Sequence, residues 1–356
     1  MDRSHAAIVA GALALVAVAG PARVTAPDRA RCEAAAAYSE SHGGQAMVVL
    51  HDGKVVFERF ANGGASDRRQ MLASGSKSFV GVAAAAAVED GLLRLDDRAC
   101  EALTEWRTDP RKSRITYRHL LSLTSGLTPA GVGASVRGPA WDAVVAMPAV
   151  AEPGERFAYG AFHLIAFACA LERRLKGETF EAYLKRRILD PLGITLEWRF
   201  RCADGRPQVG GGAFMTARDW ATFGEWMRQG GRWKGRQIVA RERLAECLRG
   251  TEQNPAYGLT WWLCKPVPQD LLRSIPLLRR EMGDITGSGW LPDDLYLAAG
   301  AGKQRLYVLP SLRLVVVRMG GLVGSLGFRD TEFLDRLLRA PAGPVATEGS
   351  RAASAE

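Results

Sequence analysis

The sequence predicts an α+β fold in which one antiparallel sheet is built from both chain ends, flanked by helices, with a helical subdomain inserted between the two halves. Three observations predict it. β-rich segments lie near residues 45–60 and return only between residues 257 and 318. The stretch between them is helical and loop-rich. After the last strand, Phe328 to Leu338 has the apolar spacing of a closing amphipathic helix.

The elements follow in order. Residues 28–41 are Ala-rich and helical in character. Gln45–Leu50 and Lys54–Phe60 flank Asp52-Gly53, and Asp-Gly between two β-rich runs signals a hairpin. Leu72 to Phe79 is a small-residue turn that runs into an apolar helix, Phe79 to Val88, stopped at Glu89-Asp90-Gly91. Arg118 to Gly126 reads as a short helix with a Gly C-cap. Phe162 to Leu175 is long and apolar enough for a buried helix, and Thr179 to Leu189 is amphipathic up to Pro191-Leu-Gly193. Thr216 to Met227 opens with a Thr N-cap and an acidic residue three positions on. Tyr257–Leu263, Asp294–Ala299, Arg305–Leu309 and Arg313–Arg318 are strand-like. The domain is expected over 27–340, its helical subdomain over about 92–220, and residues 341–356 read as a disordered tail.

Composition narrows the function classes. With 47% hydrophobic and 24% charged residues in 356, the balance is that of a globular protein. The formal charge of +9 is scattered, with small clusters at Lys185-Arg-Arg187 and Arg279-Arg280. No aromatic-interleaved basic stripe accompanies it, which argues against a nucleic-acid partner. Residues 6–20 are uncharged behind Arg3 and His5, a run short for the roughly 20 residues of a membrane span. Small residues at cleavage spacing before Ala19 and Ala26 favour a signal peptide over residues 1–26, rather than a retained anchor. The expected location is therefore periplasmic or secreted, without stable membrane insertion. That compartment permits disulfides among Cys32, Cys100, Cys169, Cys202, Cys247 and Cys264, although spacing does not choose a pairing. Cys169, in an apolar run, is expected as a buried thiol. Neither Cys-x-x-Cys nor His-Glu-x-x-His occurs, so no metal is expected. Gly300-Ala-Gly302 lacks the third glycine of a dinucleotide fingerprint, and no cofactor is expected. The Gly-x-Ser-x-Gly elbow is absent, and His163 reads as a packed helix histidine.

The chemistry lies in Ser74-Gly-Ser-Lys77. On a helix, residues three apart share a face, which sets the hydroxyl beside the amine. A serine becomes a nucleophile when a base takes its proton. A lysine serves as that base when burial and the positive end of the helix dipole disfavour its ammonium form.

Several segments together resemble the serine β-lactamase and penicillin-recognising superfamily, nearest to class C β-lactamase-related esterases and nylon-oligomer-type hydrolases. They are Ser74–Lys77, Leu120-Leu-Ser-Leu-Thr-Ser-Gly-Leu127, Glu152-Pro-Gly-Glu-Arg-Phe-Ala-Tyr159, Phe214–Asp219, Tyr257–Trp262 and Ala298–Gln304. The resemblance covers about residues 45–340 and implies the β-lactamase/transpeptidase-like fold. It implies an acyl-enzyme on Ser74, with Lys77 and Tyr159 sharing the proton and an oxyanion hole from the backbone N–H groups of Ser74 and Ala301. Gly300, Ala161 and Trp262 are the expected substrate-binding positions. Near an ammonium such as Lys77, the Tyr159 phenol is expected to fall below its free pKa of about 10.

Two departures stand out. The family's Tyr-x-Asn is Tyr159-Gly-Ala161 here, and the Lys-Thr-Gly position is Ala298-Ala-Gly300. The amide and the cation that hold a lactam are thus both missing. The resemblance implies a hydrolase of esters or amides, and the expected signal peptide makes it an exported one. A D-Ala-D-Ala peptidase, a true β-lactamase and a catalytically silent binding protein are the alternatives. The substrate partner is a small molecule, Trp261-Trp262 hints at an apolar acyl group, and Pro266 to Asp284 reads as a lid.

Overall fold

The computed structural model describes residues 24–129, 137–321, 325 and 327–339. The expected signal peptide and C-terminal tail lie outside them, apart from residues 24–26. The main sheet has six antiparallel strands: β1 (Gly44–His51), β2 (Lys54–Phe60), β3 (Trp262–Leu263), β4 (Tyr296–Gly300), β5 (Gln304–Leu309) and β6 (Leu314–Gly320). Their order is β2-β1-β6-β5-β4-β3, so both chain ends do meet, at the β1–β6 ladder. The hairpin turn uses Asp52 and Gly53 at φ 53° and 77°, the left-handed pair a two-residue hairpin needs. Strands β4, β5 and β6 are buried on both faces, whereas β2 forms an edge with Val55 and Val56 exposed.

Helix α1 (Arg29–Ser41) packs on the sheet and on the last helix. Across the sheet, α4 (Ala217–Arg228) lies on β1, β5 and β6. A Cβ on its Gly224 would stand 2.5 Å from Leu306, so the glycine permits this close approach. Helix α2 (Lys77–Glu89) is buried from Lys77 to Ala87, and Phe79 stacks on Phe223 of α4 with centroids 4.2 Å apart. Helix α3 (Phe162–Arg174) belongs to the helical middle of the chain. A small sheet joins Gln70–Met71, Ala213–Met215 and Glu197–Trp198, and brings the segment before Ser74 against the 210 loop. The closing helix is α7 (Asp330–Leu338).

Several elements differ from the sequence reading. The strand expected over Tyr257–Leu263 shortens to Trp262–Leu263, because Thr260 turns at φ 71° and its carbonyl accepts from the Ser78 hydroxyl on α2 at 3.1 Å. The helix expected to end at Gly126 covers only Tyr117–Leu121; the left-handed residue behind it is Leu123, at φ 60°. Thr179–Leu189 is α-helical only over Phe180–Leu184 and then widens into a π-helical turn. All six cysteines are separate, buried thiols.

Candidate active site

Ser74 sits on a tight 3-10 turn, Ala73–Ser76, and α2 begins only at Lys77. The pair is therefore not in one α-turn, as the sequence suggests, yet Lys77 Nζ lies 3.0 Å from Ser74 Oγ. Ala73, just before the serine, is held at φ 47°, a strained backbone for a residue with a side chain. What holds it is local. Leu72 N–H donates to Ala213 O at 2.9 Å, and Ser76 Oγ both donates to Ala73 O at 2.6 Å and accepts from Ala213 N at 3.1 Å.

The amine of Lys77 is 4% exposed as a residue and has one further partner, Gly210 O, at 2.6 Å. Among the described residues no carboxylate pairs with it, and burial pushes its pKa down from 10.5 to about 7. A neutral amine here donates to Gly210 O and keeps its lone pair toward Ser74. Tyr159 completes the group, its ring centroid 5.0 Å from Lys77 Nζ. Its phenol does not fall as the sequence reading expects. Burial lifts it to about 12, against the opposing pull of a hydrogen bond with Ser74. The reason is that the neighbouring lysine is itself desolvated, and an apolar wall of Phe157, Tyr257 and Trp262 surrounds the ring.

Ser74, Tyr159, Trp262, Gly300 and Ala301 line one cavity of about 30 Å³. Gly300 has a reason different from close approach of a ligand. A Cβ there would lie 2.0 Å from Leu72 O and 3.1 Å from Gly75 N, so the strand edge is pressed onto the nucleophile turn itself. Ala161 is not among the lining residues. It is buried, its own Cβ 2.4 Å from where a Cβ on Gly210 would stand, and so packs against the loop whose Gly210 O binds the amine. Pro266–Asp284 contains helices α5 (Gln269–Ser274) and α6 (Pro276–Met282), and Leu278, Glu281 and Met282 of α6 roof the cavity. His163 is fully buried, with Nδ1 2.7 Å from Ser125 Oγ, and burial pushes it down to about 4.

Sequence reading missed Arg305, Glu281 and Gly210. Arg305 is fully buried, lines the cavity and stands opposite Ala299 in the ladder. It donates to Gly300 O at 3.0 Å, to Glu281 O at 2.8 Å and to Asp330 Oδ1 at 2.7 Å. Its signal was visible: a lone charged residue opening an otherwise apolar strand.

The Beta-lactamase family model matches residues 29–336, and the chain belongs to that family of serine hydrolases. An uncharacterized protein of Alkalihalophilus pseudofirmus is 25% identical over 309 residues, covering 79% of this chain and 85% of its own length. A solved structure of a putative 6-aminohexanoate-dimer hydrolase from Bacillus anthracis is similar with a TM-score of 0.65 at 18% identity, over 83% of this chain and 77% of that one. A second, EstCE1, a hydrolase with promiscuous acyltransferase activity, has a TM-score of 0.64 at 17% identity, over 87% and 98%. These likenesses are of fold. Among the described residues no helix is long and apolar enough to cross a membrane.

Proposed function

We propose that the protein is an exported hydrolase of a small ester or amide that acts through an acyl-enzyme on Ser74. The observation that carries the reading is the buried amine of Lys77, 3.0 Å from Ser74 Oγ and poised to titrate at about 7. Neutral Lys77 takes the hydroxyl proton as Ser74 Oγ bonds to the carbonyl carbon. The backbone N–H groups of Ser74 and Ala301 receive the oxyanion; one such donor contributes about 2.7–4 kcal/mol to the transition state. Tyr159, neutral because burial raises it, passes a proton to the leaving oxygen or nitrogen and recovers one from Lys77. Water then enters by the same relay and releases the acid. A fluorophosphonate should label the wild type and not Ser74→Ala. Ser74→Ala should also keep its melting temperature and lose at least about 10³-fold in turnover. Residual activity near wild type would place the nucleophile elsewhere.

The substrate follows from what surrounds the serine. The lactam-holding amide and cation are absent at Ala161 and Ala298, and the Arg305 guanidinium that lines the cavity is already committed to Asp330. Against p-nitrophenyl esters, aminohexanoate oligomers and nitrocefin, turnover of nitrocefin should be slower than that of short esters by orders of magnitude. Nitrocefin turnover equal to that of the best ester would return the reading to a β-lactamase.

A further inference from the structure

Helix α6 has two working faces. Leu278, Glu281 and Met282 point to the serine, whereas Arg279, Arg280 and Gly283 line a separate cavity of about 600 Å³ on the other side. Arg273 of α5, Arg329 before α7 and Lys303 also line it, with Asp284 as the one carboxylate. Five cations thus converge on a space of the size small-molecule sites occupy, roughly 300–1,000 Å³.

Most of the guanidinium charge around this cavity has no counter-charge. Many exposed arginines elsewhere are paired, among them Arg173 with Glu105, Arg186 with Glu178, Arg201 with Glu181 and Arg218 with Glu58. Among the described residues Arg273, Arg279 and Arg329 form no ion pair, and that of Arg280 with Glu281 is long, at 3.5 Å. Asp284 is already engaged, 3.7 Å from Lys303 and accepting from Thr331 N at 3.2 Å. Lys303 is the buried floor of the cavity, its side chain 7% exposed and its amine fixed on Asp330 at 2.7 Å and Glu281 O at 3.1 Å. Guanidinium groups converging without counter-charges repel one another, and a bound anion removes that repulsion. Their planar forks match the paired oxygens of phosphate.

We propose that this cavity is a binding site for a soluble multivalent phosphate compound, separate from the ester or amide site and independent of the catalytic reading. Pyrophosphate is the probe. Isothermal titration of the full chain at low ionic strength should show one site per chain, weakening as salt is added, with acetate bound at least about tenfold more weakly. Arg273→Ala/Arg279→Ala and, separately, Arg329→Ala should each weaken pyrophosphate by about tenfold or more. Circular dichroism and melting curves of both variants should match the wild type, since all three arginines are exposed. Undetectable binding at millimolar pyrophosphate, or equal affinity in wild type and both variants, overturns the proposal. Phosphatidylglycerol vesicles separate the two sources of phosphate. Sedimentation with vesicles in a protein that fails to bind pyrophosphate would assign these arginines to a lipid surface and overturn it. Pyrophosphate binding that vesicles do not displace supports it.

Discussion

Lys77 sets two pH dependences. Catalysis needs the neutral amine, so kcat/KM should rise with pH through about 7 and level off above it. Stability has the same sign but a different window. The folded lysine sits near 7 and the unfolded one near 10.5, so between those values only the unfolded chain is protonated. Each pH unit downward through that window costs about 1.4 kcal/mol of stability, and the penalty is complete below about 7. Lys77→Met should therefore abolish turnover and raise the melting temperature at neutral pH; a lower melting temperature would refute the desolvation account. Tyr159→Phe keeps the ring packing and should lower kcat by roughly 10²–10⁴ while leaving the rising limb near 7 in place, because that limb belongs to the amine. A wild-type kcat would reduce Tyr159 to a packing residue. Ser74, Lys77 and Tyr159 were legible because a three-residue spacing and neighbouring motifs announce them. The direction of the phenol's shift was not, since it depends on Phe157, Tyr257 and Trp262 closing in from segments far apart in sequence.

At the scale of elements, the site is a junction between the 3-10 turn of Ser74, the end of β4 and the roof helix α6. Gly300→Ala should push β4 off the turn, since its Cβ would fall 2.0 Å from Leu72 O. A displacement of about 1 Å at reacting groups costs on the order of 10²-fold in rate. Gly289→Ala is the matched control, with open space around its Cβ, and should leave kcat unchanged. Equal kcat in the two variants would show that the turn tolerates the shift. Strand identity was readable from β-branched runs, as in Leu314–Gly320. Strand length was not where a neighbouring helix intervenes: Tyr257–Leu263 has a strand's composition, but Gly81 of α2 presses on Leu259 O and Thr260, and the chain turns there instead.

The molecule as a whole is fastened at Asp330. Its carboxylate, fully buried at the start of α7, accepts from Arg305, Lys303 and Tyr307. Burial works against its ionised form, but the two cations hold its pKa below the usual carboxylate range. A depressed folded pKa means the contribution is present above the unfolded value near 3.8 and fades as pH falls below it. Asp330→Asn should destabilise by about 3–5 kcal/mol by leaving Arg305 and Lys303 short of counter-charge. Urea unfolding at pH 7 measures this, and a loss under about 1 kcal/mol would show the cations well served by other partners.

That fastening has a consequence for how the protein comes into being. Ser74 and Lys77 leave the ribosome early, but the strand that presses on their turn is aligned by Arg305, and Arg305 gains its buried counter-ion only when residue 330 has been made. A nascent chain stalled before Asp330 carries the nucleophile and its base, yet Lys303 and Arg305 enter the interior without their fully buried partner, with only Glu281 and Asp284 beside them. Synthesis is thus expected to withhold a working serine until Asp330 has been made. A ribosome-stalled chain ending at Arg329, once clear of the exit tunnel, should resist fluorophosphonate labelling, and one extended through Leu338 should accept it.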